Sequence, residues 1–446
     1  MNILLANLYW GYGSDGSLEK MRHLHYPTGL AIIAGEIKRK RKDKLFAIDS
    51  YVQDIKDETI FDYIDKNCVD CVLLSMYLGN YQYRYLKKII NFIVRLFPEV
   101  TVVVGGPMAS TIPGILLENI APIDKRVICV IGEGEDTIIE LLSCLENKSD
   151  LKKVKGICYR NGNVIFTAER GRIQDLDGYS RPAYDIFDTR KYVDYVKKTN
   201  RCWEISASRG CYGSCVYCKL VFGRKITMRS AGSIVEEMED FYAVYGVNRF
   251  NFVDDNFLNS EKQVWDFCDA LKRSNRIFQW RFQGRADCFS ADLAMALMKV
   301  GLYDVSFGIE SGAVEILSEM NKKMDIDKAG ANIRSLPPEL ETHGSFIVGM
   351  PGETQSTIDQ TMNFIKDVRL KYTNAGILTA FPGTILYDMA KARGMIRSDD
   401  EYCDNLGPVY VRPYINFTSF PDEQLMEWAE SINKAGRAES KEPINI

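Results

Sequence analysis

Three cysteines, Cys211, Cys215 and Cys218, fall in the run Cys211-Tyr-Gly-Ser-Cys215-Val-Tyr-Cys218. Three thiolates this close repel one another unless a cation neutralises them, so the spacing points to metal ligation. Two kinds of site compete. A structural zinc ion needs a fourth cysteine or histidine at comparable spacing, and none of the chain's 3 histidines lies near this loop. Three soft thiolates instead suit three corners of an iron–sulfur cube, leaving the fourth iron open to a ligand or substrate. The preceding Ser208-Arg209-Gly210 gives the backbone room to turn.

The elements that must position this loop are legible in the apolar pattern. From about residue 203, strands are predicted at Glu204–Ser208, Arg249–Val253, Gln279–Gly284, Asp304–Ile309, Ser345–Val348 and Ala375–Ala380. Helices fit between them at Ser233–Tyr245, Ser260–Arg273, Ser290–Val300 and Thr354–Leu370, with Ser233, Ser260 and Ser290 as N-caps. Six strand–helix units are too few for a closed eight-fold barrel, so a partial, open (β/α)6 TIM-like barrel is expected. Chemistry in such folds collects at the carboxyl ends of strands. There the sequence places the cysteine loop, Asp254-Asp255-Asn256, Arg285, Glu310-Ser311-Gly312, Gly349-Met350-Pro351-Gly352 and Phe381-Pro382-Gly383. All six should converge on one mouth. Asp287 reads as a helix cap.

The spacing Cys-x3-Cys-x-aromatic-Cys resembles that of the radical S-adenosylmethionine (SAM) superfamily, with Tyr217 in the aromatic slot. The resemblance implies a 4Fe–4S cluster held by Cys211, Cys215 and Cys218, with SAM chelating the open iron. Reductive cleavage of SAM would then give a 5′-deoxyadenosyl radical. It further implies that the Val253–Asn256 segment, with Asp254 and Asp255, binds the methionyl amine. Arg285 would take the carboxylate, Glu310 and Ser311 the ribose side, and Gly349, Pro351 and Phe381 the adenine.

Ahead of this unit, strands are predicted at Ile3–Leu8, Leu45–Asp49, Cys71–Met76, Val100–Val104 and Val127–Ile131. Helical spacing runs through Gly29–Lys40, Thr59–Lys66 and Tyr81–Leu96. The alternation predicts a doubly wound, Rossmann-like parallel sheet. A hairpin is expected at Gly156–Arg160 and Val164–Ala168 around Asn161-Gly162, and residues 171–200 look irregular. The expected division is 1–150 for the first domain, 151–200 for hairpin and linker, 201–398 for the radical SAM core, and 399–446 for a short C-terminal region.

Pro27-Thr28-Gly29-Leu30, Gly105-Gly106-Pro107, Gly132-Glu133-Gly134-Glu135 and Asp177…Pro182-Ala183-Tyr184-Asp185 follow one another as in radical SAM proteins with a cobalamin-binding front domain. That second resemblance implies cobalamin beyond the carboxyl ends of the sheet, with its tail near Ser75, Gly105, Gly106, Gly132, Glu133 and Gly134. Tyr77 and Leu78 would face its lower side. The axial-histidine motif of many cobalamin domains is missing: the region reads Asn7-Leu8-Tyr9-Trp10-Gly11. His23 and His25 lie in the loop that follows.

The expected activity is methyl transfer through cobalamin to an unactivated carbon or a phosphinate. Ring-forming, rearranging or oxidative chemistry, and a cobalamin-free front domain, are the alternatives, with a non-enzymatic sensor behind them. Methylthio transfer is disfavoured, because the front domain lacks a three-cysteine second cluster site. The substrate is a small molecule or peptide, and a reductant such as flavodoxin or ferredoxin is required. The tail aromatics Tyr402, Tyr410, Tyr414 and Trp428 either recognise the substrate or pack as a lid.

Composition agrees with this assignment. With 46% hydrophobic residues the 446-residue chain can fill two or three cores, and a net charge of −4 gives no field for nucleic acid. The basic run Lys38–Lys42 reads as a solvated helix end. No membrane span or leader is evident, so a cytoplasmic setting is expected, in which the 12 cysteines stay reduced.

Overall fold

The structure is a computed structural model that describes residues 1–8, 24–53, 55–77, 79, 81–120, 126–274 and 276–436. It divides into two compact units, one formed by Met1–Tyr195 with Arg393–Pro408, the other by Val196–Ala392 with the chain from Val409.

The first unit is built on strands β1 (Asn2–Asn7), β2 (Lys44–Asp49), β3 (Cys71–Ser75), β4 (Thr101–Gly105) and β5 (Val127–Val130), followed by β6 (Ile157–Asn161) and β7 (Asn163–Phe166). The sheet order is β2-β1-β3-β4-β5-β6-β7. The first five strands are parallel, and in β1, β3, β4 and β5 the apolar runs are buried on both faces as a parallel sheet requires. The hairpin forms around Gly162 and then adds to the sheet by antiparallel pairing of β6 with β5.

Helices cover this sheet with apolar stripes. In Gln82–Leu96 the buried residues Leu86, Ile89, Ile90 and Ile93 recur at helical spacing. The irregular stretch expected over 171–200 is corrected: Thr189–Thr199 is a helix. Its many lysines and tyrosines hid a narrow apolar stripe, from which Tyr192 and Val193 are buried. The basic run closes its helix in ion pairs, with Arg39 on Glu36 at 2.8 Å and Lys40 on Asp136 at 3.1 Å.

The second unit carries a short pair, β9 (Ser208–Arg209) with β10 (Thr227–Met228), and a six-stranded sheet. The sheet strands are β8 (Trp203–Ile205), β11 (Arg249–Phe252), β12 (Gln279–Gly284), β13 (Leu302–Glu310), β14 (Glu341–Val348) and β15 (Tyr372–Ile377), in the order β15-β14-β13-β12-β11-β8. All neighbours are parallel, which is the open six-unit barrel expected. Ser260 and Ser290 cap their helices by accepting the N–H of Gln263 and Leu293. Ser233 is corrected: Ser230 is the N-cap and accepts the Ser233 N–H at 3.2 Å.

An ion-pair partner and a stacked ring define the role of His343. Its Nε2 lies 3.2 Å from Asp304 and its ring stacks on Tyr372 at 4.6 Å, at the amino ends of their strands. That is a structural position. Among the described residues no helix is long and apolar enough to cross a membrane.

Candidate active site

Parallel pairing puts the carboxyl ends of β8 and β11–β15 on one edge, and there the predicted residues assemble. The cysteine loop leaves β8 and is braced from β11. Asp254, 5% exposed, accepts Ala207 N–H at 3.1 Å and Ser208 Oγ–H at 2.6 Å. Asp255 accepts Gly210 N–H at 3.2 Å. Both carboxylates therefore position the approach to Cys211. Burial, opposed by those bonds, pushes the Asp254 carboxyl up to about 6.

Within the loop, Gly213 donates to Cys211 Sγ at 3.4 Å. A Cβ on Gly213 would lie 3.4 Å from Cys211 Sγ and 3.9 Å from Cys215 Sγ, so the loop folds back with both sulfurs near Gly213. Burial pushes the Cys218 thiol up to about 12, followed by the charges of Asp255, Cys215 and Cys211. The Tyr217 phenol is pushed up by burial and lies under the influence of Glu310 and Cys215, which ties the loop to the end of β13. Among the described residues no three His, Cys, Asp or Glu groups converge on a single ion. Three thiols on one loop suit three corners of a cluster.

Asn256 adds an acceptor that fits an ammonium group. It is 3% exposed, its amide donates to Asn259, and its Oδ1 has no partner. A buried acceptor left open at a strand end calls for a ligand donor. Arg285 is held by Asp287 through two bonds of 3.0 and 2.6 Å and by the Lys323 carbonyl, and it lies 5.9 Å from the Tyr212 ring. The cap reading of Asp287 is thereby corrected: it clamps Arg285 and accepts Asp325 N–H at 3.3 Å. Glu310 takes a left-handed backbone, φ +70, and pairs with Lys322 at 2.7 Å. Such strain in a glutamate persists where the surroundings enforce it, often at functional sites.

Ser311 sits differently. Buried at 1% exposure, it accepts Ala313 N–H at 3.1 Å and meets the Thr361 hydroxyl at 3.2 Å, so its hydroxyl is spent inside the fold. The Gly349–Gly352 turn follows β14, and Phe381 packs edge-on to Tyr410 at 5.8 Å. Tyr410 itself has φ +65, its carbonyl accepts Ile377 N–H at 2.8 Å, and its hydroxyl is influenced by Cys218 and Glu310. That sets this tail aromatic beside Phe381 at the mouth. Trp428 is buried in the helix Asp422–Asn433, with its indole N–H on Gln355 at 2.9 Å.

Glu353 closes the turn after β14 by accepting the Gly349 N–H. Burial outweighs that bond and pushes its carboxyl up to about 7 from an ordinary 4.5. A raised folded-state value means that stability is fully present below about pH 4.5 and is lost as pH rises through about 7, by about 3 kcal/mol in all. Thermal midpoints should therefore fall between about pH 5 and pH 8 more steeply in the native protein than in Glu353→Gln. Equal slopes would contradict this.

In the first unit, Ser75 and Gly105 are register partners at the ends of β3 and β4. Gly106, φ +94, serves the fold: a Cβ there would lie 2.7 Å from the Met76 carbonyl and 2.9 Å from Ser75 Oγ. Gly132, φ +76, follows β5, and a Cβ on it would meet nothing within 4 Å. Its N–H is held by Ser110 Oγ at 3.0 Å, a residue no motif marked. Gly134 packs on Ile33. Glu133 is engaged by Arg172 Nε at 2.9 Å and Ile173 N–H at 2.8 Å, a role in holding the connector. Tyr77 N–H is held by Gln82. Leu78, Tyr9–Gly11 and His23 lie outside the described residues.

The order of the strands puts the switch in direction between β1 and β3, where open α/β sheets bind ligands. On the β1–β2 side that edge is filled: Tyr192 donates to Asp49 at 2.5 Å, and Asn7 donates to Asp49 at 3.1 Å. The open space at Gly132 lies on the other side. A sheet edge with Gly105 at the end of β4 and Gly132 just past β5 fits a flat macrocycle and its tail.

Comparison with known proteins agrees with this geometry. The radical SAM superfamily model matches residues 205–365, and the B12 binding domain model matches residues 17–142. The chain is 30% identical over 379 residues to an uncharacterized methyltransferase of Pyrococcus horikoshii, covering 83% of this chain and 79% of that protein. It is 25% identical over 373 residues to the anaerobic magnesium-protoporphyrin IX monomethyl ester cyclase of Rubrivivax gelatinosus, covering 81% of this chain and 65% of the cyclase. The solved structure of the cobalamin-dependent SAM radical enzyme OxsB, with aqua-cobalamin and SAM bound, superimposes with a TM-score of 0.78 at 16% identity, covering 96% of this chain and 66% of that one. The chain thus spans just under two thirds of the cyclase and of OxsB. It belongs to the radical SAM superfamily, in the group whose members carry a B12-binding domain ahead of the radical SAM domain.

Proposed function

We propose that the protein is a cobalamin-dependent radical SAM methyltransferase acting on an unactivated carbon, or a phosphinate, of a small molecule or peptide. The observation that carries the reading is the meeting of the cysteine loop, Asn256, Arg285 and Glu310 on one strand edge, in a chain whose first sheet leaves space beside Gly132. When bound, the cluster supplies the electron that cleaves SAM, and cobalamin carries the methyl group.

The chain's own residues bind and orient. Cys211, Cys215 and Cys218 hold the cluster, and Asp254 and Asp255 fix the backbone that presents them. The Asn256 carbonyl accepts the SAM amine. Arg285, kept in place by Asp287, presents its guanidinium to the carboxylate, and Glu310 accepts the ribose hydroxyls. The turn Gly349–Pro351 and Phe381 flank the adenine and exclude water. In the first unit Ser75, Gly105, Gly106 and Gly132 receive the cobalamin tail, and the loop from Tyr77 its lower face. A one-electron donor such as flavodoxin or ferredoxin serves the protein, in a cytoplasmic setting where thiols remain reduced.

Anaerobic reconstitution with cobalamin and methyl-labelled SAM tests the reading. The expected result is label in the product together with 5′-deoxyadenosine. The likeness to the Rubrivivax cyclase favours one second reading, ring formation. In that case 5′-deoxyadenosine forms without transfer of label.

A further inference from the structure

No motif marks Lys322, yet the turn that carries it touches the cysteine loop, Arg285 and Glu310. The turn follows the helix Val314–Glu319. The Met320 carbonyl accepts Val216 N–H at 2.9 Å. Asn321, in the left-handed region at φ +50, donates to the Ser214 carbonyl and hydroxyl at 2.9 and 3.0 Å. The Lys323 carbonyl accepts Arg285. Between them Lys322 turns inward, its side chain 8% exposed and its Nζ 2.7 Å from Glu310 Oε1.

The strand that carries Glu310 makes room for this pair two residues before it. A Cβ on Gly308 would lie 3.2 Å from Lys322 Nζ and 2.7 Å from Glu310 Oε1. The bonds of Met320 and Asn321 to Val216 and Ser214 seat the backbone that carries this ammonium against the cysteine loop. A buried ion pair is weak evidence of stability, since an apolar pair of similar volume serves as well. Its position between the cysteine loop and Glu310 therefore asks for a role in the site.

We propose that Lys322 is a positioning residue of this mouth: it holds the Glu310 carboxylate for the SAM ribose and sets a positive charge beside the cluster. This rests on reading the site as a cluster and SAM site. A nearby cation favours the reduced cluster, because added negative charge is stabilised by it.

The test uses the full chain, reconstituted anaerobically, with two readouts: the cluster's reduction potential by EPR-monitored titration, and the dissociation constant for SAM. In Lys322→Met the potential shifts to more negative values and SAM binds about tenfold more weakly. Lys322→Arg keeps the potential near its native value. The double variant Lys322→Met/Glu310→Gln removes both charges, so the potential recovers while SAM affinity does not. An unchanged potential in Lys322→Met overturns the inference while leaving the site reading intact. Should that variant load no cluster, Lys322→Gln decides in its place, a negative shift supporting the inference and an unchanged potential overturning it. Native protein that takes up no iron and sulfide would sink the site reading and the inference together.

Discussion

In a Cys215→Ala variant reconstituted anaerobically, iron and sulfide should fall from about four of each per chain to near zero, and SAM cleavage with them. The cause lies in the loop's geometry. Three sulfurs must hold three corners, and the loop carries no fourth cysteine to replace one of them. Burial, together with the charges of Asp255, Cys215 and Cys211, pushes the Cys218 thiol up to about 12. The iron must compensate the thiolates, so losing one ligand costs the whole assembly rather than a third of it. Cys211→Ala and Cys218→Ala should behave alike. Cys202→Ser is the control: its thiol lies 2.9 Å from the Tyr303 hydroxyl, away from the loop, and iron content should hold. A Cys215→Ala protein that retained a full cluster, seen by iron analysis and its absorbance, would refute the ligand assignment.

What could be read from the sequence follows from where the information is local. The strands of both sheets are short apolar runs, so β3 with Cys71-Val-Leu-Leu-Ser and β12 with its alternating Trp280 and Phe282 stand out residue by residue. The cysteine spacing is local too. Pairing is not: the Asn161-Gly162 turn announces a hairpin, while its bond to β5 depends on Cys129 and Cys158 meeting across the sheet. Nor could the pattern place Arg393–Pro408 in the first unit, where Lys87 meets Asp400 and Asp404 at 2.7 and 2.9 Å. In the site, residue type suggested ligands where geometry gave braces. Asp254 holds Ala207 and Ser208, Glu133 holds Arg172, and Ser311 caps its own turn. Lys322 and Ser110 escaped for the opposite reason. Each acts through a partner far along the chain, Glu310 and Gly132, with nothing beside it in sequence to mark the role.

Gly301→Ala should produce the largest loss of stability, at least about 3 kcal/mol, read as a drop in thermal or denaturant midpoint. Gly301 turns the chain into β13 at φ +97, and a Cβ there would lie 1.8 Å from the Phe278 carbonyl oxygen. That oxygen is backbone and cannot swing aside. The Gly301 carbonyl also accepts the Trp280 N–H at 3.0 Å, so relief must come from parting β12 and β13. Those strands end in Gly284, next to Arg285, and in Glu310. The substitution should therefore weaken SAM binding as well as the fold, from the far end of the sheet. Gly394→Ala separates clash from backbone strain. It shares the left-handed conformation, φ +69, and its Cβ would meet nothing within 4 Å. A loss of about 1 kcal/mol is expected there, with SAM affinity unchanged. Equal losses at the two positions would mean that conformational strain alone governs Gly301, and that the tight approach of Phe278 is relieved without moving the strands that carry the site.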